Sequence, residues 1–179
     1  GVFDSGVGGI SVLRKMISLM PNENYIYYGD SANAPYGDRS DEEVLSLTEN
    51  VFDYLLSEGV KGIVVACNTA TSVAVRRLRG RYPVTLRRPK FAHLMESFRQ
   101  SAEIISMACP SIVDFVEKDK MNSQELMNYL TKKFAALGDR PADAVVLGCT
   151  HYPFIAEAIQ KAAGPQAVLY DGSEGVARE

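Results

Sequence analysis

A chain of 179 residues with 46% hydrophobic and 23% charged side chains carries enough apolar material for one α/β domain or two small ones. Its formal net charge of −3 argues against a nucleic-acid surface; no apolar stretch is long enough to span a bilayer and no signal peptide precedes the first strand, so a cytoplasmic protein is expected. Cys67, Cys109 and Cys149 are odd in number and lack the spacing of a disulfide framework, so reduced thiols are expected.

In chain order, Val2-Phe3 ends a short strand, and Gly6-Val7-Gly8-Gly9 turns into a helix from Ile10 to Met20 that Pro21-Asn22 stops. Tyr25 to Tyr28 reads as a strand, followed by a polar loop through Tyr36-Gly37. Asp41 to Ser57 has the apolar spacing of a helix, capped by Ser40 or Asp41. Gly62 to Ala66 is a continuous apolar run suited to a buried strand, with a helix from about Ala70 to Leu78 behind it. The basic cluster from Arg76 to Arg81 reads as a solvated helix end. Helices are expected over Phe91 to Gln100, Ser111 to Glu117 and Ser123 to Leu137, and a strand over Glu103 to Met107. Ala144 to Leu147 reads as a strand, Phe154 to Ala163 as its helix and Ala167 to Tyr170 as a last strand. Alternating strands and helices imply a parallel α/β architecture with its site at the carboxyl ends of strands.

Two strings carry the chemistry. Ala66-Cys67-Asn68-Thr69 and Gly148-Cys149-Thr150-His151 each follow an apolar run and each precede a helix-like stretch. A cysteine there meets free helix N–H groups and the positive end of the helix dipole, which favour thiolate and anionic substrates. Two such thiols facing one another across a pocket can take a proton from one face of a carbon and return one to the other. Cys109, before Pro110, lacks the Asn and Thr partners and reads as structural. Asp4 and Ser5 at the first strand tip either shape the turn or contact substrate. Asn68, Thr69 and Thr150 serve as helix caps, as ligand contacts or as both. His151 is a helix-start histidine or a proton-relay partner of Cys149. Gly6-Val7-Gly8-Gly9 fails as a dinucleotide fingerprint because position 11 is Ser. Cys67, Cys149 and His151 lack zinc-ligand spacing, and no Lys adjoins the motifs to carry pyridoxal, so no metal and no cofactor are expected.

Gly1-Val2-Phe3-Asp4-Ser5-Gly6-Val7-Gly8-Gly9, Tyr28-Gly29-Asp30-Ser31-Ala32-Asn33-Ala34-Pro35-Tyr36-Gly37 and the two cysteine strings resemble, in the same order, the motifs of glutamate racemases in the aspartate/glutamate racemase superfamily. The likeness runs from Gly1 to about Arg178, and His151-Tyr152-Pro153 after the second Cys-Thr leans toward glutamate over aspartate. The resemblance implies two similar lobes with mainly parallel sheets flanked by helices and an active site in the cleft between them. The lobes are drawn as 1–84 plus 170–179, and 85–169. It implies cofactor-independent interconversion of L- and D-glutamate, supplying the D enantiomer for bacterial peptidoglycan, and allows a homodimer. It makes Cys67 the group acting on D-glutamate and Cys149 the group acting on L-glutamate, with Asp4 and His151 assisting. Asp4, Ser5, Tyr36, Gly37, Asn68, Thr69, Thr150 and His151 would contact substrate. One departure is that the family carries a further segment, with a Glu-Pro pair, where this chain passes from Val84 to Thr85. Rival readings are a racemase for aspartate or another amino acid, a dithiol redox protein pairing Cys67 with Cys149, and a binding module inactivated by loss of that segment.

Overall fold

The structure is a computed structural model that describes residues 1–78, 81–82, 85–87, 103–138 and 141–178. The first sheet contains β1 (Val2–Asp4), β2 (Tyr27–Gly29), β3 (Gly62–Val65) and β4 (Thr85–Arg87), all parallel, in the order β2-β1-β3-β4. Val2 lies opposite Tyr27 on one side and Val64 on the other, so β1 is central and fully buried. The second sheet pairs β5 (Ala144–Leu147) with β6 (Val168–Asp171) in parallel, Ala144 opposite Val168. The chain is thus α/β, with parallel sheets flanked by helices. Parallel strands need a crossover, and α1 (Ile10–Leu19) and α2 (Asp41–Ser57) supply two of them.

Helix α2 begins where its sequence requires. The Ser40 side chain accepts from the Glu43 N–H and the Glu43 carboxylate accepts from the Ser40 N–H, a complete capping box. Its buried face is Val44, Thr48, Val51, Phe52 and Leu55, and the four apolar members meet Phe3, Ile63, Val65 and Cys67 in one apolar cluster. Behind β3 a helical segment, α3, runs over 68–78, through Asn68–Ala70, a π-helical turn at Thr71–Val75 and Arg76–Leu78. It starts at Asn68, ahead of the expected Ala70, because Cys67 itself caps it.

A second core joins Ile112 and Val116 of α4 (Ser111–Glu117), Leu126 and Leu130 of α5 (Gln124–Ala135), Leu147 of β5 and Ile159 of α6 (Ala156–Ala163). Ahead of α6 the chain takes a 3-10 turn over Tyr152–Ile155, with Pro153 at its start. The last helix, α7 (Ser173–Arg178), returns to the first lobe, where Val176 packs with Val12 and Met16 of α1. Strand β4 lies in the first sheet and β6 in the second.

The strand expected over Glu103 to Met107 does not form: these residues have no regular structure, and Ile105 is 53% exposed. The Ile104-Ile105 pair there meets no neighbouring strand among the described residues. The helix expected over Phe91 to Gln100 and the junction at Val84 lie outside the described residues.

Candidate active site

Asp4, Ser5, Cys67, Asn68, Cys149, Thr150 and His151 fall on strand ends and turns, and hydrogen bonds join the turns of the two lobes, whereas Tyr36, Gly37 and Thr69 lie apart. Asp4 ends β1 and is fully buried; its Oδ2 accepts from the Gly6 N–H at 3.1 Å and its Oδ1 from the Thr150 hydroxyl at 3.0 Å. The second bond crosses between lobes. Burial raises the Asp4 carboxyl above the ordinary range, although His151 and these hydrogen bonds oppose it. The Asn68 amide also crosses, donating to the Gly148 carbonyl. Ser11 donates to the Thr150 carbonyl at 3.4 Å.

Cys67 follows β3 and is 5% exposed. Its sulfur accepts from the Ala70 N–H at 3.5 Å and from Ser5. Burial, and then the negative charge of Asp4, push the thiol up to about 12, against the smaller help of the N–H and the hydroxyl. A negative charge on Cys149 adds a smaller push in the same upward direction. Cys109 is buried in the second core, where its carbonyl accepts from the Tyr152 hydroxyl at 3.2 Å.

His151 is 1% exposed. Its Nδ1 lies 3.7 Å from the Cys149 sulfur and its Nε2 lies 2.6 Å from Glu117 Oε1. Burial alone would depress the imidazole, but its bonds to Cys149 and Glu117 outweigh that and raise it to about 9. The ring is therefore an imidazolium at neutral pH.

Glu117 was not singled out in the sequence. From the last turn of α4 its Oε1 also accepts from the Val7 N–H at 2.7 Å, and its Oε2 accepts from the Ser31 hydroxyl at 2.7 Å. One carboxylate thus gathers the β1–α1 turn, the loop after β2 and the His151 turn. Burial opposes its ionisation, yet the bonds from His151, Ser31 and Val7 hold it below the ordinary range. A signal existed: an acid in the last turn of a helix sits against the helix dipole and needs a partner.

The glycine turn fits closely against the second lobe. A Cβ on Gly8 would overlap His151 Nδ1 and lie 2.5 Å from Thr150 Oγ1, and one on Gly6 would overlap Glu117 Oε1. Tyr27 holds that turn by donating to the Gly6 carbonyl at 2.5 Å.

Tyr36 is placed differently from a free ligand contact. Its ring is 1% exposed, packs 6.1 Å from the Phe3 ring centroid, and its hydroxyl donates to Asp30. Gly37 is exposed beside it. The Thr69 side chain has no hydrogen bond to the other site residues; its carbonyl accepts from Ser72.

No protein-family model matches the chain. The glutamate racemase of Clostridium novyi is 44% identical over 204 aligned positions, covering 98% of this chain and 79% of that protein. Because 204 exceeds the 179 residues present here, at least 25 of those positions carry a residue only in the relative. Among solved structures, Escherichia coli glutamate racemase in complex with L-glutamate and the activator UDP-MurNAc-ala superposes with a TM-score of 0.86 at 27% identity, covering 99% of this chain and 79% of that one. The Francisella tularensis glutamate racemase in complex with D-glutamate gives 0.83 at 25% identity, covering 99% and 77%. Identity of this extent, over almost the whole chain and most of the relative, places the chain in the glutamate racemase family.

Proposed function

We propose that the chain interconverts L- and D-glutamate by transferring protons between the α-carbon and two cysteines, Cys67 and Cys149, without a cofactor. The observation that carries this reading is the pair of cysteines after parallel strands of separate sheets, brought into one site by turns that hydrogen-bond across the lobes. Burial and the negative charge of Asp4, which push the Cys67 thiol up to about 12, support it as the proton-donating form. In the L-to-D direction the Cys149 thiolate takes the α-proton and the Cys67 thiol delivers its own to the opposite face. Cys149 is left as thiol and Cys67 as thiolate; the D-to-L direction reverses both steps. A following D-to-L turnover, or loss of the Cys149 proton to water and gain of one by Cys67 from water, resets the pair, and the His151 imidazolium 3.7 Å from the Cys149 sulfur favours its thiolate.

The substrate-binding set is proposed as Asp4, Ser5, Tyr36, Gly37, Asn68, Thr69, Thr150 and His151, with Tyr36 acting through its backbone because its ring is buried. Complexes of relatives with L- and D-glutamate support the substrate. The D product serves peptidoglycan synthesis, which places the work in the cytoplasm; no helix among the described residues is long and apolar enough to cross a membrane. A homodimer belongs to the same reading, with half-exposed Val168 and Tyr170 offering apolar surface; sedimentation velocity tests it.

Circular dichroism of each glutamate enantiomer in heavy water tests the chemistry. Loss of optical activity with deuterium entering the α-position is the expected result, and racemisation without label would overturn the two-thiol route. A panel including aspartate separates this reading from its nearest rival.

A further inference from the structure

The Asp30 side chain is assigned no part in the reaction above, yet it is buried and satisfied by two residues of one loop. Its Oδ2 accepts from the Tyr36 hydroxyl at 2.7 Å, and both its oxygens accept from the Asn33 amide, at 3.0 and 3.1 Å. Its backbone is fixed as well: the Asp30 N–H donates to the Asp4 carbonyl at 3.0 Å and the Asp30 carbonyl accepts from the Asn33 N–H at 3.0 Å. Arg39 closes the far side of the loop by donating from Nε to the Asn33 carbonyl at 2.7 Å. Asp30 thus joins the tip of β1, through its backbone N–H, to Tyr36, through its carboxylate. Tyr36 is otherwise held through its ring, in the cluster that also contains Phe3 and Cys67.

We infer that Asp30 is a positioning residue for substrate: through the Tyr36 hydroxyl it fixes the Tyr36–Gly37 backbone over the cleft beside Cys67. The inference rests on the proposed reading that Tyr36 and Gly37 contact glutamate. A buried carboxylate demands donors, and hydrogen bonds to an ionised group are stronger than neutral ones, so the Tyr36 hydroxyl has one strongly favoured position. Losing that bond frees the turn without touching either sulfur. The effect therefore falls on substrate affinity more than on the proton steps.

The test uses Asp30→Asn, Tyr36→Phe and the double variant, with KM and kcat for both enantiomers and the Kd for glutamate by calorimetry. Each single variant is expected to raise KM and Kd about tenfold, the worth of one charge-assisted hydrogen bond, with a smaller change in kcat. The double variant is expected to be no worse than the weaker-binding single variant, because both act on one hydrogen bond: Tyr36→Phe removes its donor and Asp30→Asn strips the charge from its acceptor. Tyr36→Phe probes that bond from the other side should Asp30→Asn fail to fold. Unchanged KM and Kd in a folded variant of an active wild type, a fall in kcat alone, or multiplying effects in the double variant would each overturn the assignment. A wild-type chain that neither racemises nor binds glutamate overturns the functional reading and this inference with it.

Discussion

The two cysteines that the sequence presents as a repeated feature occupy unlike surroundings. Cys67 is sealed beside Asp4 and held as a thiol, whereas Cys149 is part-exposed and faces an imidazolium. Both are needed if one donates while the other accepts. Cys67→Ala and Cys149→Ala are therefore each expected to lower turnover in both directions by about a hundredfold to ten-thousandfold. Polarimetry with either enantiomer checks this, and near-normal turnover in one variant removes that cysteine from the chemistry. Glu117→Gln is expected to lower the His151 imidazole from about 9 toward its ordinary value, because the amide leaves the ring without its carboxylate. The chain has only two histidines, so NMR of the imidazole protons resolves the shift; an unmoved titration would mean that Glu117 does not hold the imidazolium.

At the scale of elements, local chemistry sets the helix starts. Removing the Ser40 hydroxyl leaves the Glu43 N–H without its capping acceptor, so Ser40→Ala is expected to cost about 0.5–2 kcal/mol in urea unfolding with racemisation unaltered. That capping box was legible as Ser40 followed three residues later by Glu43, and the strands at 62–65 and 144–147 were legible as apolar runs. Cys67 and Cys149 were legible because each follows such a run. Glu117 was not: it closes a short amphipathic helix in a charged stretch, and its partners Val7, Ser31 and His151 are 110, 86 and 34 residues away in sequence. The false strand at Glu103 to Met107 marks the same boundary, since a strand needs a neighbour that its own residues do not specify. The inward turn of Tyr36 was hidden too, because it depends on Phe3 and Asp30 arriving from other elements.

Over the whole molecule, these charges make stability depend on pH. The fold raises His151 from 6.5 to about 9, so its contribution is complete below pH 6.5 and is lost as pH rises through about 9. Cys67, raised from 9.0 to about 12, acts in the same sense further up: its contribution is complete below pH 9 and is lost toward 12. Glu117, held below 4.5, contributes above that value and loses its contribution as pH falls beneath it. Asp4, raised by burial, works against Glu117 on the acid side. The melting temperature should therefore fall between pH 6.5 and 9, and His151→Gln should flatten that slope while lowering the plateau. Differential scanning calorimetry reads both, and a wild-type melting temperature that is level across this interval would contradict the assignment.

The missing side chain at position 8 gives the molecule a gauge for how near its halves can come. Since a single methyl there would strike the ring of His151 and the hydroxyl of Thr150, Gly8→Ala should act as a doorstop. It would hold the halves ajar and break the span from Asp4 to Thr150, while Cys67 and Cys149 keep their own strands. Small-angle scattering should then register a larger radius of gyration than wild type, with accelerated alkylation of the otherwise sealed Cys67. One carbon atom would thus turn a proton-transfer site into an open vestibule.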